Sequence, residues 1–396
     1  MLIAEYQDAP QTGEVFFQTD IHLFPEETAL YGFYSSDLNT LASTNRLVVY
    51  FVNTSLKKAA AVAARSLIPG KPHHVQWLIT RKCNYRCRGC NVWREQDQKE
   101  LSTGEIIRAL DILKSLGVVE IVFSGGDPLL RDDSEEIIEY ASRFFVTTVY
   151  DNGSMAAKKI EALRNVDFVA ISIDSLDEAK NDYIKGVKGS WRKSMEAVET
   201  LYTEGIKVCV TPTISQLNLY EIVDITNYFS QRGIPLWYCL YSFDPSVNEK
   251  QLFRIGKANN EFVIRDKQAM VKLCDSLIEM KKKNRNILMT TALLKALRSL
   301  YAEEKRTWNC RALKNFLVID HLGRIAGCHN RDFAGSVFDL PKIWDSEEFN
   351  SLRSIYQKCT QCTYLCYIFY SLHGSPYGNL RLAKEQWKNA SLLLKK

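Results

Sequence analysis

Between residues 72 and 243, short β-branched or aromatic runs alternate with longer amphipathic stretches, the pattern of repeated βα units around a parallel sheet. Six runs read as strands, at 75–80, 119–124, 145–150, 168–173, 207–212 and 235–241. Helical periodicity fills the spaces between them at 103–116, 134–143, 191–203 and 219–231, with Leu110, Leu113 and Leu116 among the apolar positions of the first. Crossovers between parallel strands are right-handed, so six such units curl into a barrel or partial barrel. Chemistry in such barrels lies at the C-terminal ends of the strands.

The flanks differ from this core. Runs at 15–17, 31–34 and 47–52 read as strands, and a helix follows with Leu56, Ala60, Ala63 and Leu67 on one side. Beyond the barrel come helices at 265–282 and 290–304, then a cysteine-rich stretch with a strand at 316–319 and a turn at Asp320-His321-Leu322-Gly323. The expected organisation is a β-rich extension with a helix (1–71), the barrel (72–243), a helical connection (244–308), a cysteine-rich domain (309–370) and a C-terminal helix (371–396). A layer over the barrel's lower rim accounts for the extension better than a peptide-docking module does. Lys57, Lys58 and Arg65 on one helix, and Arg381, Lys384, Lys388, Lys395 and Lys396 on the last, make two basic amphipathic helices. A solvated face is the ordinary reading; peripheral membrane contact is the alternative.

Among 396 residues no stretch approaches the roughly 18 apolar residues of a membrane span. The N-terminus, with Glu5, Asp8 and Glu14 near Pro10 and Gly13, lacks the blocks of a secretory signal, so the expected compartment is cytoplasmic. Eleven cysteines in a reducing compartment point to metal ligation rather than disulfides, because eight of them fall in two groups. Cys209, Cys239 and Cys274 stand apart and read as packed core thiols. A formal charge of +5 is mild for this length and does not call for nucleic acid.

The first group is Cys83, Cys87 and Cys90 in the run Cys-Asn-Tyr-Arg-Cys-Arg-Gly-Cys, directly after the first strand. Four protein thiolates normally complete an iron-sulfur cluster, so a compact triplet leaves one iron for a small molecule. One buried face of a helix would give the same spacing, but Asn84, Arg86, Arg88 and Gly89 make a poor helix. The other motifs also follow strands: Ser124-Gly125-Gly126-Asp127-Pro128 after the second, Asp151-Asn152-Gly153 after the third, and Ser172-Ile173-Asp174-Ser175 at the end of the fourth.

Order and placement resemble the radical S-adenosylmethionine (radical SAM) superfamily, whose signature is CxxxCxxC. The resemblance implies an α/β, TIM-like partial (β/α)6 barrel, a four-iron cluster on Cys83, Cys87 and Cys90, and S-adenosylmethionine chelating its open iron. It matches Gly125, Gly126, Asp127 and Pro128 to the methionine-binding GGEP motif and Ser172 to Asp174 to the ribose-binding segment, with Asn152 beside them. Paired glycines let backbone carbonyls approach an ammonium group without a Cβ clash, so Gly126→Val is expected to weaken ligand binding while folding survives. Two departures stand out: Asp127 where Glu is commoner, and Gly89 where an aromatic residue often packs on adenine. Trp93, Trp237 or Tyr238 are candidates to replace that contact.

Cys310 and Cys328 flank the strand and turn at 316–323, and Cys359, Cys362 and Cys366 follow. These resemble the auxiliary-cluster domain called SPASM or, in its one-cluster form, twitch. The resemblance implies one auxiliary four-iron cluster on Cys310, Cys328, Cys359 and Cys362, with Cys366 spare or substituting for one of them. A structural zinc site is the chemical alternative. His321 and His329 read as turn and surface residues.

The expected function is reductive cleavage of S-adenosylmethionine to a 5′-deoxyadenosyl radical that abstracts hydrogen from a substrate carbon. Peptide modification and small-molecule, cofactor or lipid biosynthesis are both open. Partners are then the substrate and a one-electron donor such as flavodoxin or ferredoxin. The rival reading is a non-catalytic iron-sulfur or zinc protein in electron transfer or interaction.

Overall fold

The computed structural model describes residues 71–94, 99–242, 260–359 and 362–374, the strands Phe16–Thr19 and Leu30–Phe33, and the single positions Lys58, Arg65, Gly378 and Glu385. Residues 1–57 and 58–396 form separate compact units. In the first, β1 (Phe16–Thr19) and β2 (Leu30–Phe33) pair antiparallel, with Phe16 opposite Phe33. The expected strand at 47–52 and most of both basic helices lie outside the described residues. Lys58 and Arg65 pack inward instead of facing solvent: Lys58 Nζ lies 2.8 Å from Asp167, and Arg65 reaches the Leu116 carbonyl at 3.5 Å.

In the second unit β3 (His74–Thr80), β4 (Glu120–Gly125), β5 (Val146–Asp151), β6 (Phe168–Ile171) and β7 (Val208–Val210) lie parallel in chain order. The sixth strand pairs in two pieces: Leu236 bridges Val210, and β8 (Thr213–Ile214) pairs with β9 (Cys239–Leu240). Pro212 causes the break, since it has no N–H to give the ladder. Its carbonyl still accepts the Cys239 N–H at 2.9 Å.

The connecting helices are α1 (Thr103–Ser115), α2 (Ser134–Ser142), α3 (Glu178–Lys185), α4 (Ser190–Thr203) and α5 (Ile222–Gln231), followed by α6 (Lys267–Lys283) and α7 (Thr291–Glu303). α1 opens on a capping box, Ser102 and Glu105 each satisfying the other's backbone N–H, and buries Ile106, Ala109, Leu110 and Leu113. Helix α3 was absent from the sequence expectations. Ala179, Tyr183 and Ile184 are its only apolar residues, too few for a helical stripe.

The cysteine-rich segment joins the same sheet. β10 (Phe316–Ile319) is fully buried and runs parallel to β3 on the edge opposite β4; β11 (Arg324–Ala326) and β12 (Gly335–Ser336) continue antiparallel. Asp320 Oδ1 accepts the Leu322 and Arg324 N–H groups at 3.0 and 2.9 Å and closes the expected hairpin turn. After α8 (Glu347–Lys358), α9 (Leu365–Leu372) lies against the inner face of the sheet. There Tyr367 Oη donates to Gln76 Oε1 at 2.8 Å, and Tyr370 bonds Glu120 and stacks on His74 at 3.9 Å. Among the described residues no helix is long and apolar enough to cross a membrane.

Candidate cofactor and cluster sites

The chain leaves β3 at Thr80 and enters the first cysteine loop, and the Gly-Gly-Asp segment after β4 is clamped to that exit. Gly126 N–H donates to Thr80 O and Asp127 N–H to Lys82 O, both at 2.8 Å. A Cβ on Gly126 would lie 2.1 Å from Lys82 O and 2.8 Å from Arg81 O. The glycine is therefore required by backbone packing, and the expectation that Gly126→Val folds normally is wrong. The added side chain must push two loops apart. We expect a loss of about 3 kcal/mol in denaturant unfolding, at the upper end for overpacking; an unchanged midpoint would show that the two loops separate freely.

Asp127 is buried and spends its side chain on structure. Oδ1 accepts Leu129 N–H at 3.0 Å, capping the turn Pro128–Leu130, and Oδ2 accepts Asn152 N–H at 3.3 Å. Burial and the adjacent Asp151 carboxylate push Asp127 well above the carboxylate range. Asn152 Nδ2 reaches Asn84 Oδ1 at 2.9 Å, and Asn84 Nδ2 reaches Ser154 at 2.7 Å, so the ends of β3, β4 and β5 are tied together.

The cysteine loop is not helical; it ends in a single turn at Val92–Arg94, which excludes the buried-helix reading. Burial pushes Cys83 and Cys87 up to about 12 and raises Cys90, and Cys87 also feels both other thiols. Thiols held neutral in this way give up their protons to solvent when a strongly positive group takes the proton's place on sulfur, as a cluster's iron would. Cys90 Sγ accepts the Val92 N–H at 3.4 Å, and Trp93 Nε1 donates to Cys87 O at 3.1 Å.

Helix α3 supplies what the sequence reading missed. The carbonyls of Lys185 and Ile184 in its last turn accept Arg86 and Arg88 N–H at 3.3 and 3.0 Å, so the helix end holds the loop backbone. Gly186 caps it at φ +66°, where a Cβ would lie 2.2 Å from Arg86 O. Lys185 is buried, and its Nζ lies 2.8 Å from Asp174 Oδ2 and 2.6 Å from Ser172 Oγ. Asp174 Oδ1 accepts Thr213 N–H at 2.7 Å. The pair of residues expected at a ribose is thus bridged by one lysine, and the Lys185 charge also acts on Cys87. Asp177 at the N-cap and Gly186 at the C-terminus were the only sequence signals of this helix.

The space beside Gly89 is filled by Tyr241 and Phe262, which stack at 5.2 Å; a Cβ on Gly89 would lie 2.9 Å from the Tyr241 ring. Of the suggested replacements, Trp93 borders the loop between Arg86 and Arg94, while Tyr238 is core, bonded to Thr226, and Trp237 packs edge-on against Phe369.

In the second group Cys310, Cys328, Cys359 and Cys362 line one cavity together with Asn330, Arg331, Tyr356, Tyr364 and Tyr367. Burial pushes Cys328 up to about 12 and Cys362 well up, and both feel Cys310. Cys366 is not on that wall. It lies on α9 toward Cys239 and Tyr150, on the inner face of the sheet. Of the lone cysteines, Cys209 and Cys274 are buried as expected, whereas Cys239 is half-buried. His329 is fully buried, held down to about 3 by burial and packed on Tyr364 and Tyr367, and His321 is buried too; neither is a surface residue. Among the described residues no three His, Cys, Asp or Glu side chains converge at the spacing of a single-ion site.

Comparison with known proteins fits this geometry. A family model described as the Radical SAM superfamily matches residues 77–228. The chain is 26% identical over 330 residues to an AdoMet-dependent heme synthase of Nitratidesulfovibrio vulgaris, covering 76% of this chain and 88% of that protein. It is 33% identical over 174 residues to an Fe-coproporphyrin III synthase of Methanosarcina barkeri, covering 42% of this chain and 43% of that one. Among solved structures, Streptococcus suis SuiB bound to S-adenosylmethionine has a similar fold, with a TM-score of 0.58 and 16% identity over 89% of this chain and 81% of that one. SuiB has also been solved bound to its precursor peptide SuiA.

Proposed function

The chain belongs to the radical SAM superfamily and is an enzyme of that class, and from that premise we propose that Cys83, Cys87 and Cys90 hold the four-iron cluster and Cys310, Cys328, Cys359 and Cys362 an auxiliary one. The observation that carries this reading is convergence: the cysteine loop, Gly125–Gly126, Asn152 and the Ser172–Asp174 segment all stand at the C-terminal ends of adjacent parallel strands. The donor sets fit, three mutually close thiols in a loop and four around one cavity. When bound, the first cluster supplies one electron to S-adenosylmethionine, whose 5′-deoxyadenosyl radical takes hydrogen from the substrate.

The protein's own part is positioning and exclusion of water. The Gly125–Gly126 backbone, fixed against 80–82, presents the turn to the methionine end. Ser172 and Asp174, set by Lys185, serve the ribose. A flavodoxin or ferredoxin supplies the incoming electron.

For substrate we propose an iron tetrapyrrole carrying carboxylate side chains. The support is the heme synthase similarity, which extends over 76% of the chain. With dithionite as reductant, reconstituted protein should release 5′-deoxyadenosine slowly alone and faster with an iron coproporphyrin. No acceleration by the tetrapyrrole, with acceleration by a peptide, would move the enzyme to peptide modification. No deoxyadenosine under any condition would favour the non-catalytic reading.

A further inference from the structure

A cleft of about 740 Å³ is lined by Arg306, Trp308, Asn309, Ser354, Gln357 and Lys358. Two of these six residues are cationic and none is acidic. Asn309 immediately precedes Cys310 and Lys358 immediately precedes Cys359, so the cleft wall is one residue away from two of the four cavity thiols. Arg306 Nε and Nη2 are buried without a hydrogen-bond partner among the described residues, and its guanidinium lies 5.4 Å from the Trp308 ring. Lys358 is exposed at the end of α8. Arg306 and Lys358, with no carboxylate in the lining, give the cleft a positive charge that favours an acidic partner.

We propose that this cleft docks an acidic one-electron carrier protein of the ferredoxin or flavodoxin type, which removes the electron that leaves the substrate through the auxiliary centre. This deepens the function given above and rests on it. Hydrogen abstraction leaves the substrate carbon with one unpaired electron; loss of that electron, with loss of a proton or of carbon dioxide, gives a closed-shell product. The auxiliary centre gains the electron and then loses it to the oxidised carrier, which is reduced by one. One electron enters at the first cluster, and one leaves here. An acidic protein fits better than a substrate carboxylate because no residue of the cleft belongs to the strand ends that form the cofactor site, and Lys358 on its wall is exposed. Opposite charge across such a contact sets encounter rate and orientation and makes binding salt-dependent.

The test uses the full-length, reconstituted protein, with oxidised flavodoxin as the acidic probe and cytochrome c as the basic control, in titration calorimetry at low and moderate salt. We expect salt-sensitive flavodoxin binding to the parent, no cytochrome c binding, at least tenfold weaker flavodoxin binding in Lys358→Glu, and a further loss in Arg306→Glu/Lys358→Glu. Deoxyadenosine release driven by dithionite should be unchanged in Lys358→Glu. Equal flavodoxin affinity in the parent and both variants would overturn the docking site. So would retained flavodoxin binding alongside lost iron coproporphyrin binding, which would assign the cleft to the substrate. An iron content of about four per chain in the parent would instead overturn the auxiliary cluster itself, and iron analysis reads that separately from binding.

Discussion

Replacing Cys87 by Ala should abolish reductive formation of 5′-deoxyadenosine and lower the iron content from about eight to about four per chain. Cys87 is one of only three thiols the loop offers, so its loss leaves too few protein ligands to hold the cluster. The loop should keep its shape without it. Arg86 and Arg88 remain anchored to the α3 carbonyls, and Gly126 and Asp127 remain bonded to 80–82. A near-native unfolding midpoint with no cleavage activity is therefore the expected pairing. Cys366→Ala is the matched control, because Cys366 lies off the auxiliary cavity; it should keep both the irons and the cleavage. Equal deoxyadenosine from the Cys87 variant would detach the chemistry from this loop, and loss of about four irons from the Cys366 variant would put that thiol into the auxiliary ligand set in place of another.

Much of this was legible because it rests on strong local patterns. The strand runs at 119–124 and 145–150 appear one residue along as Glu120–Gly125 and Val146–Asp151, and the helix expected at 103–116 runs Thr103–Ser115. The hairpin at 316–326 followed from four consecutive apolar residues and a turn ending in Gly323. What escaped depended on partners distant in sequence. Helix α3 has caps but no stripe, and its last turn is tied to the cysteine loop about 100 residues earlier in the chain. Gly126 suggested ligand approach, whereas the nearest atom is Lys82 O, a contact no local pattern reveals. His329 beside its cysteine reads as a surface residue, yet the ring packs against Tyr364 and Tyr367 from a segment about 35 residues on. The attachment of β10 to β3 is of the same kind, joining residues more than 240 positions apart.

Lys185→Met should cost about 3–5 kcal/mol of stability, the range for breaking a buried ion pair from one side. Lys185 and Asp174 are 5% and 6% exposed, 2.8 Å apart, and enclosed by the end of α3 and the start of β8. Burial works against the lysine's charge, but the charge and hydrogen bond of Asp174 together with the Cys87 sulfur outweigh it and hold the amine above its ordinary range, so Lys185 carries its charge at neutral pH. Methionine fills similar volume and leaves the Asp174 side chain with Thr213 N–H as its remaining donor among the described residues, an uncompensated charge in a dry place. Asp174→Asn added to Lys185→Met removes that charge while an amide oxygen still accepts from Thr213, so the double variant should recover most of the loss. Binding should separate from stability. The single variant should weaken S-adenosylmethionine in equilibrium dialysis because Ser172 loses the lysine that fixes its hydroxyl, and the double variant, having lost the carboxylate as well, should stay weak while regaining its unfolding midpoint. Equal destabilisation in both would show that Lys185 acts through packing or Ser172 alone, and full affinity in the single variant would remove the lysine, and with it the bridge to Asp174, from the cofactor site.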